Sequence, residues 1–211
     1  MLGAHEPDTT PVTINHPCFS RLYPFTERAL NRIVGKARQL QNAQVAGRTL
    51  IIGAGTGLDV PVLGAAAGEV VLLEPDATMR RILFQRYPHL TSWAAAAETI
   101  PSPADTFDTV LSSLVLCSVA DVDRVLHEIT RVLKPDGQYL FMEHVRSPRP
   151  AARFAQSTLE PVWRRFAGGC HLTRDVEGSL RRSRLRLTHC EAVRSGGIMP
   201  VIRGRAVSPD G

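Results

Sequence analysis

The sequence lacks any apolar run that approaches the roughly 18 residues of a membrane-spanning helix. Its first 15 residues have neither a basic start nor an apolar centre, so they do not look like a secretory signal. Its four cysteines, at positions 18, 117, 170 and 190, show no C-x-x-C spacing, which leaves zinc and redox-pair motifs without support. We therefore expect a cytoplasmic protein in a reducing setting, without a membrane span or a metal site.

Lysine is also scarce, because the chain has 2 lysines against 23 arginines, with a net charge of +5. The charge is uneven along the chain. Residues 146–211 carry 13 arginines and 5 acidic residues, whereas residues 1–145 carry 12 basic and 15 acidic residues. Such a basic segment can bind an anionic substrate, nucleic acid or an acidic membrane surface. More often, however, it is a helix face exposed to solvent.

RNA binding would require aromatic residues among these arginines. Trp163 and Phe166 do flank Arg164 and Arg165, but the arginine-rich run over 181–186 contains no aromatic residue. A nucleic-acid partner is therefore not expected. The sequence does not indicate an oligomeric state.

Three closely spaced glycines follow a strand-like apolar run. Leu50–Ile52 precedes Gly53, Gly55 and Gly57, and a Gly-rich turn after a strand lets a ligand lie against bare backbone. In the dinucleotide fingerprint the third glycine comes one residue later, where this chain has Leu58. The pattern favours a nucleoside ligand without a pyrophosphate, such as S-adenosylmethionine, over a dinucleotide. A tight turn without a ligand is the alternative.

An acidic residue marks the end of a second apolar run, Val70–Leu73, which is followed directly by Glu74. An acid about 20 residues past the glycines accepts hydrogen bonds from ribose hydroxyls in dinucleotide sites. An exposed loop acid is the alternative, and the neighbouring glycine turn favours the ribose role.

Strand and helix patterns alternate along the chain, which is typical of a parallel sheet with crossover helices. The predicted strands are 49–52, 70–73, 90–96, 107–114 and 138–144, and the predicted helices are 16–44, a segment from about 58, 77–86 and 122–133. After residue 150 we expect one or two helices over 152–166, a helix over 175–182, and a strand hairpin formed by 188–193 and 200–207.

Together, five stretches resemble the class I S-adenosylmethionine-dependent methyltransferases. They are IIGAGTG, LLEPD, AAETIP, FDTVLSSLVLCSV and LHEITRVLKPDGQYLF, in family order within residues 47–145. The resemblance implies a Rossmann-like, doubly wound fold: a mostly parallel, seven-stranded sheet with an antiparallel edge hairpin. It also implies S-adenosylmethionine as the cofactor and S-adenosylhomocysteine as the product. A nicotinamide oxidoreductase is disfavoured by Leu58 and by the KPDG sequence at 134–137.

The resemblance also implies roles for residues on the cofactor side. The glycine turn would cradle the methionine part, Glu74 would hold the ribose hydroxyls, and Ala97–Glu98 would lie at the adenine edge. Many family members have an aspartate before that pair, where this chain has Ala96, so backbone groups of Ala97 are the substitute. The predicted cofactor set is Gly53, Ala54, Gly55, Gly57, Glu74, Pro75, Met79, Ala97, Glu98, Ser112 and Leu114.

Three further stretches, LVLCSV, FMEHV and LEPVWRRFAGGCHLTRD, resemble the methyltransferase-like protein 7 group, whose members methylate thiols. A small-molecule thiol is therefore the expected methyl acceptor. Two alternatives stay open: carbon, oxygen or nitrogen methylation of a quinone, lipid or secondary metabolite, and a non-catalytic protein on the same fold that binds RNA or an acidic surface.

Methylation of a thiol requires the thiolate, so a base or cation near the acceptor would increase its reactivity. The candidates are His144, at the end of the fifth predicted strand, and His171. A capping or core role is the alternative for His144. Cys170 and His171 are not expected to act as a nucleophilic pair, because the methyl group passes directly to the acceptor.

We expect a further set of residues at the substrate side or in a lid. Within it, Arg174 either contacts a substrate carboxylate or pairs with Asp175. The predicted substrate and lid set is His16, Phe19, Tyr23, Cys117, Trp163 and Arg174.

With 211 residues, of which 44% are hydrophobic, the chain is long enough for one α/β domain with a full core. We expect a mobile tail over 1–15 and a single domain over 16–211. Within that domain, the predicted parts are a helical lid over 16–46, the cofactor core over 47–145, and substrate-side helices with closing strands over 146–211.

Overall fold

A mixed sheet forms the centre of the computed structural model, which describes residues 17–194 and 197–209. Its strand order is β3-β2-β1-β4-β5-β7-β6. The pairs from β3 to β5 are parallel, and β7 is antiparallel to both β5 and β6. This confirms the predicted Rossmann-like sheet with an antiparallel edge hairpin. The strands are β1 (Gly47–Ile52), β2 (Ala67–Leu73), β3 (Thr91–Trp93), β4 (Phe107–Ser113), β5 (Leu133–His144), β6 (Arg186–Arg194) and β7 (Val201–Val207).

Helices cover both faces of the sheet. They are α1 (Pro17–Asn42), α2 (Ala77–Arg86), α3 (Val122–Val132), α4 (Pro150–Phe166) and α5 (Val176–Arg182). Helix α4 runs through Pro161 as one helix, which answers the question that the sequence left open. In the described part of the chain, no helix is both long and apolar enough to cross a membrane.

Alternate residues of each central strand enter different hydrophobic layers, because side chains along a strand point to opposite faces. In β1, Leu50 and Ile52 pack in the layer that contains the apolar face of α3, and Ile51 packs in the layer with Leu83 of α2. Both layers are fully buried, which explains the continuous apolar runs in the strand sequences. Because these strands run parallel, their carboxyl ends lie side by side at one end of the sheet.

The helix predicted from about residue 58 is wrong. The structure has only one short 3-10 turn there, Val60–Val62, and Leu63 is already extended. Pro61 lies within this turn and cannot donate a backbone hydrogen bond, so it gives no support to a longer helix. Gly64 then passes so close to the backbone of Ala43 that a Cβ atom at this position would overlap the Ala43 carbonyl.

Some predicted boundaries also need correction. The third strand is shorter than 90–96, because only Thr91–Trp93 pairs with β2. The bounds of β5 include residues 134–137, but these residues are skipped in the pairing with β4, which passes from Leu133 to Gln138. The tail over 1–15 and His16 lie outside the described residues, and the three-part division of the domain stays a prediction.

Gly57 is expected to be essential for stability. Its φ is +88°, and a Cβ atom would overlap the Tyr87 ring and lie 2.9 Å from Leu83 Cδ1. Gly57→Ala should lower the free energy of unfolding by about 2–4 kcal/mol, which combines left-handed strain with overpacking. Gly197→Ala is the matched control, because Gly197 has φ +67° and no described atom within 4 Å of its Cβ position. It should cost only about 1–2 kcal/mol. Urea unfolding of both variants measures the difference, and equal losses would contradict the packing argument.

Candidate functional site

A cavity of about 610 Å³ opens at the carboxyl ends of the parallel strands. This volume lies in the range of roughly 300–1,000 Å³ typical of small-molecule sites, and the position is the usual one in doubly wound sheets. Its walls come from the glycine turn, the ends of β2, β4 and β5, helix α1, and the segment around the end of α4. The cavity has a polar end at β2 and a largely apolar end between β5 and α4.

At the polar end, the glycine turn and Glu74 are joined directly. The Gly55 amide donates to Glu74 Oε2 at 2.7 Å, and the Asp76 amide donates to Oε1 at 2.8 Å. Burial raises the pKa of Glu74 to about 7, despite these two hydrogen bonds. The space beside Gly55 is open, because the nearest atom to its Cβ position is 3.9 Å away. A ligand can therefore lie against this backbone and the carboxylate together.

The residues after Glu74 form a pocket for a flat ring. Pro75 and Met79 line the cavity, as do Ala96 and Ala97 from the segment after β3. Asp76 caps α2 by accepting from the amides of Thr78 and Met79, which positions Met79 at the cavity wall. These residues are apolar, or their polar atoms already take part in hydrogen bonds within the protein. The pocket therefore favours a stacked base over a charged group.

Glu98 has a structural role in addition to its place in the cavity wall. Its carboxylate accepts from the amide of Ala120 at 2.8 Å, at the start of the segment that leads into α3. The Glu98 carbonyl accepts from Arg124 Nε at 2.9 Å. This side chain is therefore directed to protein backbone, and the prediction that Glu98 serves the cofactor receives no support from its contacts.

Three residues of the predicted cofactor set do not line the cavity. Ala54 is buried in the hydrophobic layer with Leu72, and Gly57 faces Tyr87. Ser112 points away from the cavity, and its Oγ contacts Tyr139 Oη and Glu143 Oε1 at 2.7 Å each. The reason is the alternation of side chains along β4: the next residue, Ser113, faces the cavity.

Leu114, by contrast, is at the cavity wall as predicted. Its φ is +62°, which is unfavourable for a residue with a branched side chain, and its amide donates to the Met142 carbonyl at 2.7 Å. Backbone strain of this kind persists only where the surroundings enforce it, and it concentrates at functional sites.

Helix α1 closes one side of the cavity. Phe19 and Tyr23 line it, and their ring centroids are 5.1 Å apart. Burial raises the pKa of Tyr23 to about 12, so this phenol stays neutral. Phe19 packs against Gly168, where a Cβ atom would lie 2.7 Å from the ring. The predicted lid residue His16 lies outside the described residues.

The position of α1 depends on polar contacts that the sequence analysis missed. Glu27 of α1 makes a two-point ion pair with Arg86 of α2, at 3.0 and 3.1 Å, and accepts from Thr56 Oγ1 in the glycine turn. Arg86 also donates to the Thr56 carbonyl at 3.0 Å. Nothing in the local pattern distinguishes Glu27 from a surface acid, since its partners are 29 and 59 residues away.

A second missed contact involves Arg38, which is buried beside Asp59. Arg38 Nε lies 3.3 Å from Asp59 Oδ1, which also accepts from Asn42 Nδ2 and Ser113 Oγ. Among the described residues, Arg38 Nη1 has no hydrogen-bond partner. Because Ser113 lines the cavity, this buried guanidinium lies directly behind the cavity wall.

At the apolar end, His144 reaches the cavity from the end of β5. Its Nε2 lies 3.4 Å from the Ile198 carbonyl, and its Nδ1 lies 4.0 Å from Cys170 Sγ. The carbonyl can only accept, so this contact assigns the ring proton to Nε2 and leaves Nδ1 as a proton acceptor. The remaining wall is mainly apolar and includes Leu114, Val119, Trp163, Phe166, Met199 and Val201.

His171 is not part of the cavity wall, so its predicted catalytic role is not supported by the geometry. Its Nδ1 lies 3.3 Å from Glu160 Oε1, and its amide donates to the Cys117 carbonyl at 2.8 Å. Burial lowers the pKa of His171, and neighbouring arginines act in the same direction. The side chain joins α4 to the segment that follows it.

Arg174 is also structural. Its Nη1 donates to the carbonyls of Leu116 and Val119, which secures the segment after β4, and it does not line the cavity. The predicted pair between Arg174 and Asp175 is wrong. Asp175 instead lies 3.2 Å from Arg146 Nη2 and caps α5.

Glu143 is the most important residue that sequence reasoning missed. It is fully buried, with Oε1 accepting from Ser112 Oγ and Oε2 accepting from the Leu116 amide at 3.0 Å. Burial raises its pKa to about 7. The carboxylate thereby holds the segment that carries Leu114 and Cys117. The FMEH sequence offered a signal, because a charged residue stands there in an otherwise apolar strand.

Arginine side chains of the basic segment form local ion pairs in the structure. Arg181 pairs with Glu177 along α5, and Arg203 pairs with Glu191 across β6 and β7. Within residues 17–194 and 197–209, no group of three or more His, Cys, Asp or Glu side chains is arranged to hold a metal ion.

Comparison with known proteins agrees with this geometry. The family model described as "Methyltransferase domain" matches residues 50–141. Human thiol S-methyltransferase TMT1A is 38% identical over 145 residues, covering 66% of this chain and 57% of that protein. Rat thiol S-methyltransferase TMT1B is 39% identical over 110 residues, covering 51% and 43%. The chain thus spans about half the length of these curated relatives.

Among solved structures, a possible histamine N-methyltransferase of Thermotoga maritima, described as SAM-dependent, superimposes with a TM-score of 0.66. It is 21% identical, and the match covers 90% of this chain and 97% of that one. This likeness supports the fold. Together, the family match over residues 50–141, the relatives and the cleft formed by the glycine turn and Glu74 show that the chain is similar to class I, S-adenosylmethionine-dependent methyltransferases and, among them, resembles the thiol S-methyltransferase group.

Proposed function

We propose that this protein transfers a methyl group from S-adenosylmethionine to a small apolar thiol. The observation that carries the proposal is the apolar end of the cavity, where the one ring nitrogen of His144 assigned as a proton acceptor lies among hydrophobic side chains. The similarity to proteins named thiol S-methyltransferases favours sulfur as the accepting atom. When bound, S-adenosylmethionine supplies a methyl group that its sulfonium has already activated.

The residues of the polar end fit this cofactor. Glu74 has carboxylate lone pairs beyond those that accept from Gly55 and Asp76, and these can accept from two ribose hydroxyls. Gly55 allows close approach of the methionine part, and Pro75 and Met79 provide apolar contact for the adenine.

His144 would prepare the acceptor. A thiol has an ordinary pKa near 8.5, so only a few per cent is ionised at neutral pH. A thiol in the apolar end can give its proton to His144 Nδ1, while Nε2 keeps its contact with the Ile198 carbonyl. Helix α1 and the end of α4 cover the cavity and exclude water from the reacting thiolate.

The choice of acceptor is tested by S-adenosylhomocysteine release with matched compounds. Purified protein is supplied with alkyl and aryl thiols, their hydroxyl analogues and a quinol. We expect turnover with the thiols and at most background release with their hydroxyl partners. Turnover restricted to the quinol or hydroxyl compounds would refute a thiol acceptor and would leave the cofactor site intact.

Glu74→Gln tests the cofactor site. Hydrogen bonds to a charged group contribute about 1.5–3 kcal/mol, so the variant should bind S-adenosylhomocysteine roughly 10–100-fold more weakly at pH 8. Glu98→Gln is the control and should bind nearly as wild type, because its carboxylate accepts from the Ala120 amide. Isothermal titration calorimetry measures both. Equal losses in the two variants would contradict the assignment.

The same measurement has a predicted pH dependence. The pKa of Glu74 is raised to about 7, so below this pH the folded protein holds the protonated form. Ribose hydroxyls are better bound by the ionised form. The affinity of the wild type should therefore fall as pH decreases below 7, by up to about tenfold per pH unit. Glu74→Gln should show no such fall, and a flat wild-type profile would argue against the ribose role.

His144→Asn tests the proton acceptor, with His171→Asn as the matched control. Loss of a general base typically costs about 10²–10⁴-fold, so kcat/KM for alkyl thiols should fall by this factor in the first variant. The loss should be smaller for aryl thiols, which ionise more readily. His171→Asn should retain most activity, since His171 lies outside the cavity wall. Equal effects of the two substitutions, or no dependence on acceptor acidity, would exclude His144 as the base.

A further inference from the structure

Two cysteines from distant parts of the sequence meet in the wall of the cavity. Cys117 lies on the segment after β4, and Cys170 follows α4. Both are buried, both carry free thiols, and both line the cavity. The amide of His171, next to Cys170, donates to the carbonyl of Cys117 at 2.8 Å. The sequence spacing gave no sign of a redox pair, but the fold places these two residues side by side.

The two thiols have different surroundings. Cys170 Sγ lies 4.0 Å from His144 Nδ1, which can take the Cys170 proton when no methyl acceptor is bound. The neighbouring Cys117 and His144 lower the pKa of Cys170. Cys117 Sγ lies 3.7 Å from the Leu114 carbonyl and 3.6 Å from Ser118 Oγ. The contact with Cys170, followed by burial, raises the pKa of Cys117.

One charged group reinforces this difference. The buried carboxylate of Glu143 opposes ionisation of Cys117 and keeps its pKa high. The guanidinium of Arg174 interacts with both thiols and favours a thiolate at either one, so it does not distinguish them. Cys170 is therefore the more nucleophilic sulfur, and Cys117 is a neutral thiol beside it.

We propose that Cys170 and Cys117 form a reactive dithiol that opens small-molecule disulfides inside the cavity, with Cys170 as the attacking sulfur and Cys117 as the resolving sulfur. This activity goes beyond methyl transfer, and it requires neither the cofactor nor a methyl acceptor. Its substrate class is a small apolar disulfide, since the cavity wall around the two sulfur atoms includes Trp163, Phe166 and Val119.

The exchange takes two balanced steps. The Cys170 thiolate attacks one sulfur of the disulfide, the sulfur–sulfur bond of the ligand breaks, and the first small thiolate leaves and takes a proton from water. Cys117 then attacks Cys170 Sγ in the mixed disulfide and gives its proton to the second leaving thiolate. One small disulfide and two cysteine thiols become one Cys117–Cys170 disulfide and two small thiols.

The two segments that carry the cysteines are joined directly. A disulfide requires Cα atoms roughly 4.4–6.8 Å apart, and the hydrogen bond from the His171 amide to the Cys117 carbonyl holds the two segments against each other. Gly168 and Gly169 precede Cys170, with φ angles of +59° and +80°. These glycines provide a turn between α4 and Cys170 whose backbone can adjust as the sulfur atoms join.

The test uses the 211-residue chain with Cys18 and Cys190 replaced by serine. The reduced protein is mixed with 2,2′-dipyridyl disulfide, and released pyridinethione and intact mass are recorded. We expect two pyridinethiones per chain and a mass loss of two hydrogen atoms. With Cys117→Ser added, we expect one pyridinethione and a stable pyridylthio adduct. With Cys170→Ser added, release should slow at least ~10-fold.

Adducts on both cysteines without an internal disulfide would refute the resolving role of Cys117. Equal rates for the parent and Cys170→Ser would refute the attacking role of Cys170. Because a lowered thiol pKa preserves the thiolate in mild acid, the parent should still react at pH 6, whereas Cys117 in the Cys170→Ser variant should not. Calorimetric binding of S-adenosylhomocysteine by each variant shows that it is folded, and it separates a failure of this proposal from a failure of the proposed function.

Discussion

The buried carboxylate of Glu143 is the interaction on which the apolar end of the site depends. It accepts from Ser112 and from the Leu116 amide, so it fixes the chain where β4 gives way to the segment of Leu114 and Cys117. The next residue of β5 is His144, which lines the cavity and contacts the Ile198 carbonyl and Cys170. Burying a carboxylate is costly. Glu143 offsets this cost because it accepts hydrogen bonds from backbone amides that would otherwise be buried without partners.

The two ends of the cavity are built on different principles. At the polar end, backbone amides and one carboxylate, Glu74, determine what can bind, and the glycine turn removes side chains from the path. At the apolar end, side chains from β5, α1 and α4 determine the shape, and His144 and the two cysteines lie in the wall. The cofactor site and the proposed acceptor site thus lie in one cavity but are formed by different kinds of groups.

The sheet and the polar end could be predicted because their signals are local. Buried strands are continuous apolar runs, and the glycine turn and Glu74 lie within about 20 residues of each other. The direction of a side chain at a strand end was not predictable, which is why Ser112 was preferred to Ser113. Glu27, Arg38 and the Cys117–Cys170 pair were missed because each depends on partners far away in sequence. The helix expected after the glycine turn was wrong since Pro61 and a close backbone contact at Gly64 override the usual pattern of the fold.

The contact between Phe19 and Gly168 limits the width of the apolar end. It joins the first helix to the turn that carries Cys170, and the space between ring and backbone is smaller than one methyl group. Any side chain at position 168 would have to push these two walls apart, whereas Glu74 and the glycine turn lie at the other end of the cavity. The width of the proposed acceptor site therefore depends on the absence of a single Cβ atom.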